Sequence, residues 1–303
     1  MVANTTTNRA TFNGITMACV VAATVMGAGM TSVAKAATVP FTNNFDGTGN
    51  NVDFNAGTNG GTEVFTGSSS SGGWTVADGV YTVDVKSTPN GSGASNTATA
   101  ALSITGVDTA DWTMSSQFTV NSVTSPGFNN LGLTIGFGAF GSTSTFSNAS
   151  PNKYYLADLS YRNFTATTQG TLRILEIGTS NTTIATNSNA VADADLVNGT
   201  TYTLKLSGTY SGAPGASSLT MTLGLYDATG ATAIGSSVTG TDTTPLTGTN
   251  FGYRLNYNEN NKSFNASFDN FVVTNAAAVP EPAAVSLLGL AGLIALRRAK
   301  RSI

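Results

Sequence analysis

The chain of 303 residues contains no histidine, and its single cysteine is Cys19. Those two absences exclude Ser-His-Asp hydrolysis, Cys-His proteolysis, histidine-bound zinc and c-type haem attachment. Carboxylates, amides, hydroxyls, aromatic rings and the few lysine and arginine cations are left to do any chemistry. Paired carboxylates carry glycoside hydrolysis when they stand about 5–5.5 Å apart, or wider for inversion. Between Ala37 and Asn275 the glutamates are Glu63, Glu176 and Glu259, and none has a second acid within three residues. The strand signature Glu-x-Asp-x-x-Glu is missing. The best pair assembled across strands is Glu176 with Asp158, against the simpler reading that both are solvated or ion-paired. A non-catalytic body is the expectation.

Two other constellations are worth placing. Calcium takes six to eight oxygens from carboxylates, amides and carbonyls, and Asp46 with Asn43 and Asn44 could meet Asp269 and Asn270. Asp193 and Asp195, two residues apart, form a second candidate. The competing reading is an Asx turn, in which the side chain bonds its own backbone. Glycan binding needs aromatic platforms beside amide and guanidinium donors. Tyr253, Arg254, Asn256 and Tyr257 form the densest such cluster, and Tyr154, Tyr161, Arg162 and Asn163 a second. Strand parity separates Arg254 and Asn256 from Tyr253 and Tyr257, so one pair is expected in the core and the other outside.

The elements that must position these residues are strands. Trp112, Met114, Ser116, Phe118 and Val120 alternate with Thr113, Ser115, Gln117 and Thr119, the period of a half-buried strand. The same period runs through Tyr81–Val85, Leu131–Phe137, Tyr155–Tyr161, Leu172–Ile177, Tyr202–Leu206, Leu219–Leu225, Phe251–Tyr257 and Phe264–Val272. Turn signals such as Asp78-Gly79, Pro126-Gly127, Asn198-Gly199 and Ala213-Pro214-Gly215 separate them. This periodicity excludes a wholly disordered Gly/Ser/Thr/Asn-rich chain. Roughly ten to fourteen strands and no amphipathic helix predict an all-β, antiparallel sandwich over residues 37–275. The stretches Gly67–Gly73 and Thr88–Ser95 read as surface loops. Phe41–Asp46 opens the domain and Phe268–Val273 closes it, two strands of matching character expected to pair side by side.

The ends of the chain carry targeting signals. Arg9 precedes an apolar stretch from Ile15 to Met30, and Ala34-Lys35-Ala36 is a small-x-small site, so residues 1–36 read as a signal peptide cleaved before Ala37. At the other end Val279-Pro280-Glu281-Pro282 is an extended motif. The apolar run 283–296 follows and, as a helix, spans roughly 21 Å, a marginal membrane segment. A basic tail, 297–301, includes Arg297 and Arg298 and is expected on the cytoplasmic side. Without these ends, Ala37–Val279 holds 15 acids and 7 bases, a net charge of −8, which repels nucleic acid and anionic membranes.

Residues 276–303 resemble the PEP-CTERM sorting signal of Gram-negative bacteria that make exopolysaccharide. The resemblance implies export by the general secretion machinery, transient inner-membrane anchoring, processing by an exosortase, and a final place at the cell surface or outside the cell. The paired end strands and the segment Trp74–Tyr81, an aromatic strand followed by a tight turn and a second strand, resemble the concanavalin A-like, laminin-G-type jelly rolls. That resemblance implies two curved sheets with a glycan-binding face or rim, sometimes with calcium. Together these readings give an exported structural or adhesive β-sandwich associated with exopolysaccharide. The alternatives are a lectin-like glycan-binding module and a carboxylate-only carbohydrate-active enzyme.

Overall fold

Side chains that alternate apolar and hydroxylic along an extended chain can bury one face only by stacking a second sheet upon it. The computed structural model describes residues 37–48, 53–54, 61–66, 70–77, 79–87, 96–107, 110–124, 133–143, 145–146, 152–161, 170–192, 195–212, 218–257 and 263–275. These form sixteen strands: β1 (Ala37–Thr38), β2 (Phe41–Asn43), β3 (Thr62–Thr66), β4 (Ser70–Ala77), β5 (Val80–Ser87), β6 (Asn96–Thr105), β7 (Trp112–Thr124), β8 (Leu133–Gly141), β9 (Tyr154–Tyr161), β10 (Gly170–Ile177), β11 (Thr182–Val191), β12 (Thr201–Tyr210), β13 (Leu219–Asp227), β14 (Val238–Asp242), β15 (Asn250–Tyr257) and β16 (Ser263–Asn275).

They build two eight-stranded sheets. Sheet I runs β1-β6-β15-β8-β9-β10-β11, with β3 also on β6; sheet II runs β14-β13-β12-β7-β16-β5-β4, with β2 also on β16. Every pairing between these strands is antiparallel except that of β1 with β6. The end strands pair: Phe271 lies opposite Asn43 and Val273 opposite Phe41. One expectation needs correction, because Ser70–Gly73, expected in a loop, is the start of β4 and pairs with β5. Glycine and serine weaken strand preference, but the β5 ladder supplies the missing partner. The segment 88–95 lies outside the described residues.

The core is aromatic where the ends of the domain meet. Phe45 stacks on Tyr81 at 4.8 Å, Trp74 on Tyr81 at 4.6 Å, and Phe54 on Tyr253 at 5.4 Å, while Phe268 lies 4.4 Å from Tyr253. Two tyrosine hydroxyls tie the sheets across this interior. Tyr253 of sheet I bonds Ser116 of sheet II at 2.7 Å, and Tyr155 of sheet I donates to Asp242 of sheet II. Ser116 in turn donates to the Asp269 carbonyl at 2.8 Å. A buried hydroxyl without a partner costs stability, so these bonds also define how the two sheets sit on each other.

Candidate functional site

The outer face of sheet I is unusual because polar groups are buried there, on the side facing away from the other sheet. One cross-strand row holds Thr99, Arg254, Gly136, Asp158, Arg173 and Thr186 on six successive strands. Thr99 is 3% exposed, Arg254 4% and Asp158 0%. The neighbouring row holds Thr97, Asn256, Thr134, Ser160 and Thr171. Alternation puts every member of both rows on one face.

Asp158 receives Arg173 bidentately, Nε to Oδ1 at 2.9 Å and a terminal nitrogen to Oδ2 at 2.7 Å. Such a fork holds the guanidinium plane rigidly. Arg254 donates from Nε to the Phe146 carbonyl at 3.1 Å, and its charge lowers the Tyr154 hydroxyl pKa against the larger effect of burial, which pushes it up to about 12. Thr99 Oγ1 is buried and has no hydrogen-bond partner among the described residues. Next to the charged row lies an apolar one: Ala101, Phe146, Tyr154, Leu156 and Ile177 form a small second cluster outside the main core. The Phe146 ring rests where a side chain on Gly138 would sit, since a Cβ there would meet the ring at 2.5 Å.

The residues singled out from sequence divide accordingly. Tyr253 is 1% exposed within the core between the sheets, so it offers no platform to a sugar; that expectation is corrected by strand parity. Arg254 and Asn256 lie on the outer face, as the same parity requires. The Tyr257 side chain lies outside the described residues, as do the Tyr161 side chain, Arg162 and Asn163. Tyr154 is buried against Phe146, 5.2 Å between ring centres, and donates to the Phe146 carbonyl. The pair Glu176 and Asp158 does not assemble. Asp158 faces Arg173, whereas Glu176 faces Tyr155, and three residues of β10 put them on opposite faces of the sheet.

For calcium, Asp46 accepts from the Thr48 amide at 2.9 Å and its hydroxyl at 2.7 Å, the geometry of an Asx turn. Asp269 accepts from the Asn270 amide and side chain at 2.6 and 3.1 Å. Among the described residues no group of three or more acidic or other metal-binding side chains gathers around one point. Asp195 is exposed and Asp193 lies outside the described residues. Glu63 accepts from Tyr81 near the core, and Glu259 is outside the described residues. So are the cleavage residues Ala34 and Ala36, and the sorting residues Val279, Pro280, Glu281, Pro282, Arg297 and Arg298. Ala37 is the first residue of β1. Among the described residues no helix is long and apolar enough to cross a membrane.

Sequence reasoning missed Thr99, Arg173, Thr134, Ser160 and Thr171 as neighbours of Arg254 and Asn256. Their parity was readable strand by strand, but their alignment depends on which strands are adjacent.

No family model matches the chain, and no curated protein matches it. Among solved structures it is similar to the exoplasmic/lumenal domain of VIP36 in its Ca2+/Man3GlcNAc-bound form, at 12% identity over 73% of this chain and 88% of that one, with a TM-score of 0.37. A Lotus tetragonolobus seed lectin is similar at 13% identity, covering 71% and 94%, TM-score 0.37. The alginate lyase vAL-1 from Chlorella virus is similar at 11% identity, covering 68% and 90%, TM-score 0.37. Two lectin-like domains and a lyase share this likeness, so it assigns no chemistry to this chain.

Proposed function

We propose that this is an exported, non-catalytic β-sandwich of the concanavalin A-like type that binds polysaccharide through the outer face of sheet I. The observation that carries the reading is the pair of polar rows in which Arg173, Asn256 and Thr134 keep part of their surface, with buried Arg254, Asp158 and Ser160 behind them. Strands stand about 4.8 Å apart, so the partly exposed Asn256 on β15 and Arg173 on β10 lie three strands apart, roughly 14 Å, enough for more than one sugar unit of an extended chain. The donors and acceptors of these rows are amides, hydroxyls and a guanidinium locked by a carboxylate, which suit hydroxyl-rich ligands. Tyr154 is covered by Phe146, so binding here relies on hydrogen bonds rather than ring stacking. A catalytic role gains no support from the separation of Asp158 and Glu176 to opposite faces.

Handling follows from the ends of the sequence alone. In this reading residues 1–36 direct export, and residues 276–303 direct exosortase processing and surface display, where glycan binding would serve adhesion within an exopolysaccharide matrix. Affinity electrophoresis of the full-length chain through gels containing neutral and acidic polysaccharides tests the binding. Retardation by at least one polymer, relieved by Asn256→Ala and by Arg173→Ala, is expected; unretarded migration in every gel would sink the proposal. For sorting, full-length and tail-deleted chains are compared in a strain carrying an exosortase, and identical distribution would refute that part.

A further inference from the structure

The outer face of sheet II contains a cavity of about 260 Å³ that the first site does not use. It opens where β16 is irregular: its pairing with β7 shifts register between Asp269 and Val272, and Asn270 adopts a left-handed backbone with φ of 50°. Asp269, paired with Gln117 just before the shift and turned outward by alternation after core Phe268, stands at the wall of the cavity with Gln117, Thr119, Asn121 and Thr201, while Val80 supplies an apolar edge.

The polar walls are pinned by one another. Asn270 Nδ2 donates to both Asp269 Oδ2 and Gln117 Oε1, at 3.1 and 3.0 Å, and Gln117 Nε2 donates to the Ala228 carbonyl at 2.7 Å. Asn121 Nδ2 donates to Asn265 Oδ1 and to Ser267 Oγ, each at 2.6 Å. With its amide so oriented, Asn121 Oδ1 receives no hydrogen bond among the described residues. Thr119 and Thr201 share one hydrogen bond at 2.8 Å. Each carboxylate oxygen of Asp269 has a second lone pair beyond the one used by Asn270. The cavity wall therefore offers fixed acceptors at Asp269 and Asn121, beside one N–H of Gln117 and one threonine hydroxyl hydrogen left over from these bonds.

We infer that this cavity is a second, independent binding site, which takes a single neutral sugar ring or a comparable polyol. Vicinal hydroxyls donate to the two Asp269 oxygens and to Asn121 Oδ1, and the carbon–hydrogen face of the ring lies toward Val80. An anion is repelled by Asp269, which has no cation beside it in the wall. Calcium needs six to eight oxygens, and this wall offers one carboxylate whose two oxygens already face Asn270 N–H groups. A purely apolar ligand would strand the amide and carboxylate acceptors.

The test is calorimetric titration of the full-length chain with methyl glycosides of glucose, galactose, mannose and N-acetylglucosamine, and separately with calcium chloride. At least one glycoside is expected to bind saturably with a Kd on the order of 1 mM. Asp269→Asn should weaken that binding roughly tenfold, because bonds to a charged acceptor are the stronger ones. Asn121→Ala, at an exposed side chain that the fold does not bury, should weaken it several-fold and guards against a folding defect in the first variant. No saturable glycoside binding, binding indifferent to both substitutions, or saturable calcium binding lost in Asp269→Asn would each overturn the assignment. The two sites fail separately. Loss of polysaccharide retardation with glycoside binding intact removes only the sheet I reading, and the converse removes only this one.

Discussion

At the scale of single residues, Asp158 shows how a charge survives at zero exposure. Its two oxygens are both occupied by Arg173, whose side chain remains 35% exposed. Removing one partner of such a pair leaves an uncompensated buried charge. Arg173→Ala is therefore expected to lower stability by about 2 kcal/mol, less than a fully buried pair because the guanidinium keeps part of its hydration. Urea unfolding checks this, and a loss below about 0.5 kcal/mol would contradict it. Other carboxylates respond to pH in opposite senses. Burial, the largest cause in each, raises Glu63, Glu176 and Asp269 above their ordinary values; the hydrogen bond from Tyr81 opposes it at Glu63. A raised folded-state pKa adds stability that is fully present below the unfolded value and is lost as pH rises through the folded one. The stability of the wild type relative to Glu63→Gln is thus expected to increase on acidification from pH 7 toward 4.5. Asp227 has the opposite sign. The Thr229 hydroxyl, then the Thr232 and Ala231 amides, hold it down to about 2 against slight burial. Its contribution is present above 3.8 and is lost as pH falls toward 2, so Asp227→Asn should flatten that final decline. Denaturation midpoints across the pH range read both effects.

At the scale of elements, legibility depended on contrast between the two faces of a strand. β7 and β13 announced themselves because Trp112, Phe118, Leu219 and Met221 alternate with threonine and serine. β6 did not: its inward positions Ala98 and Ala100 differ little from the threonines between them, although Leu102 and Ile104 follow the same parity. β11 and β14 were missed for another reason. Both lie at sheet edges, and most of β11 is exposed or half-buried, so neighbouring backbone rather than apolar alternation makes them strands. Close approach between elements was also invisible. Gly208 of β12 lies opposite Trp112 of β7, and a Cβ on it would meet the indole at 2.4 Å. Trp112 is 1% exposed in the core and cannot withdraw freely. Gly208→Ala should cost about 1–3 kcal/mol through overpacking, read as a lower thermal midpoint; an unchanged midpoint would mean the ring has room to move.

At the scale of the whole molecule, the fold closes by bringing its two ends together. β2 lies on β16, and just beyond β2 Phe45 enters the aromatic cluster with a left-handed backbone (φ 53°) and no exposure. Truncating Phe45 to alanine should cost about 3–5 kcal/mol, typical of a buried phenylalanine. Equilibrium unfolding measures it, and a cost under 1 kcal/mol would show that the terminal strand contributes little to the core. The aromatic cluster also accounts for the misplacement of Tyr253. Aromatic, arginine and amide neighbours in sequence resemble a sugar site, but alternation divides them between two environments. Composition and period alone determined that residues 37–275 make an all-β sandwich holding neither histidine nor cysteine, because residue type and the two-residue repeat are local properties. Which strands lie adjacent was decided only in three dimensions. Thr99, Arg254, Asp158 and Arg173 are far apart in sequence, and only the order β6-β15-β8-β9-β10 sets them in one row. The same holds for Gln117, Asn121 and Asp269, which share a cavity because β16 pairs with β7 and places Asp269 opposite Gln117 on the outer face.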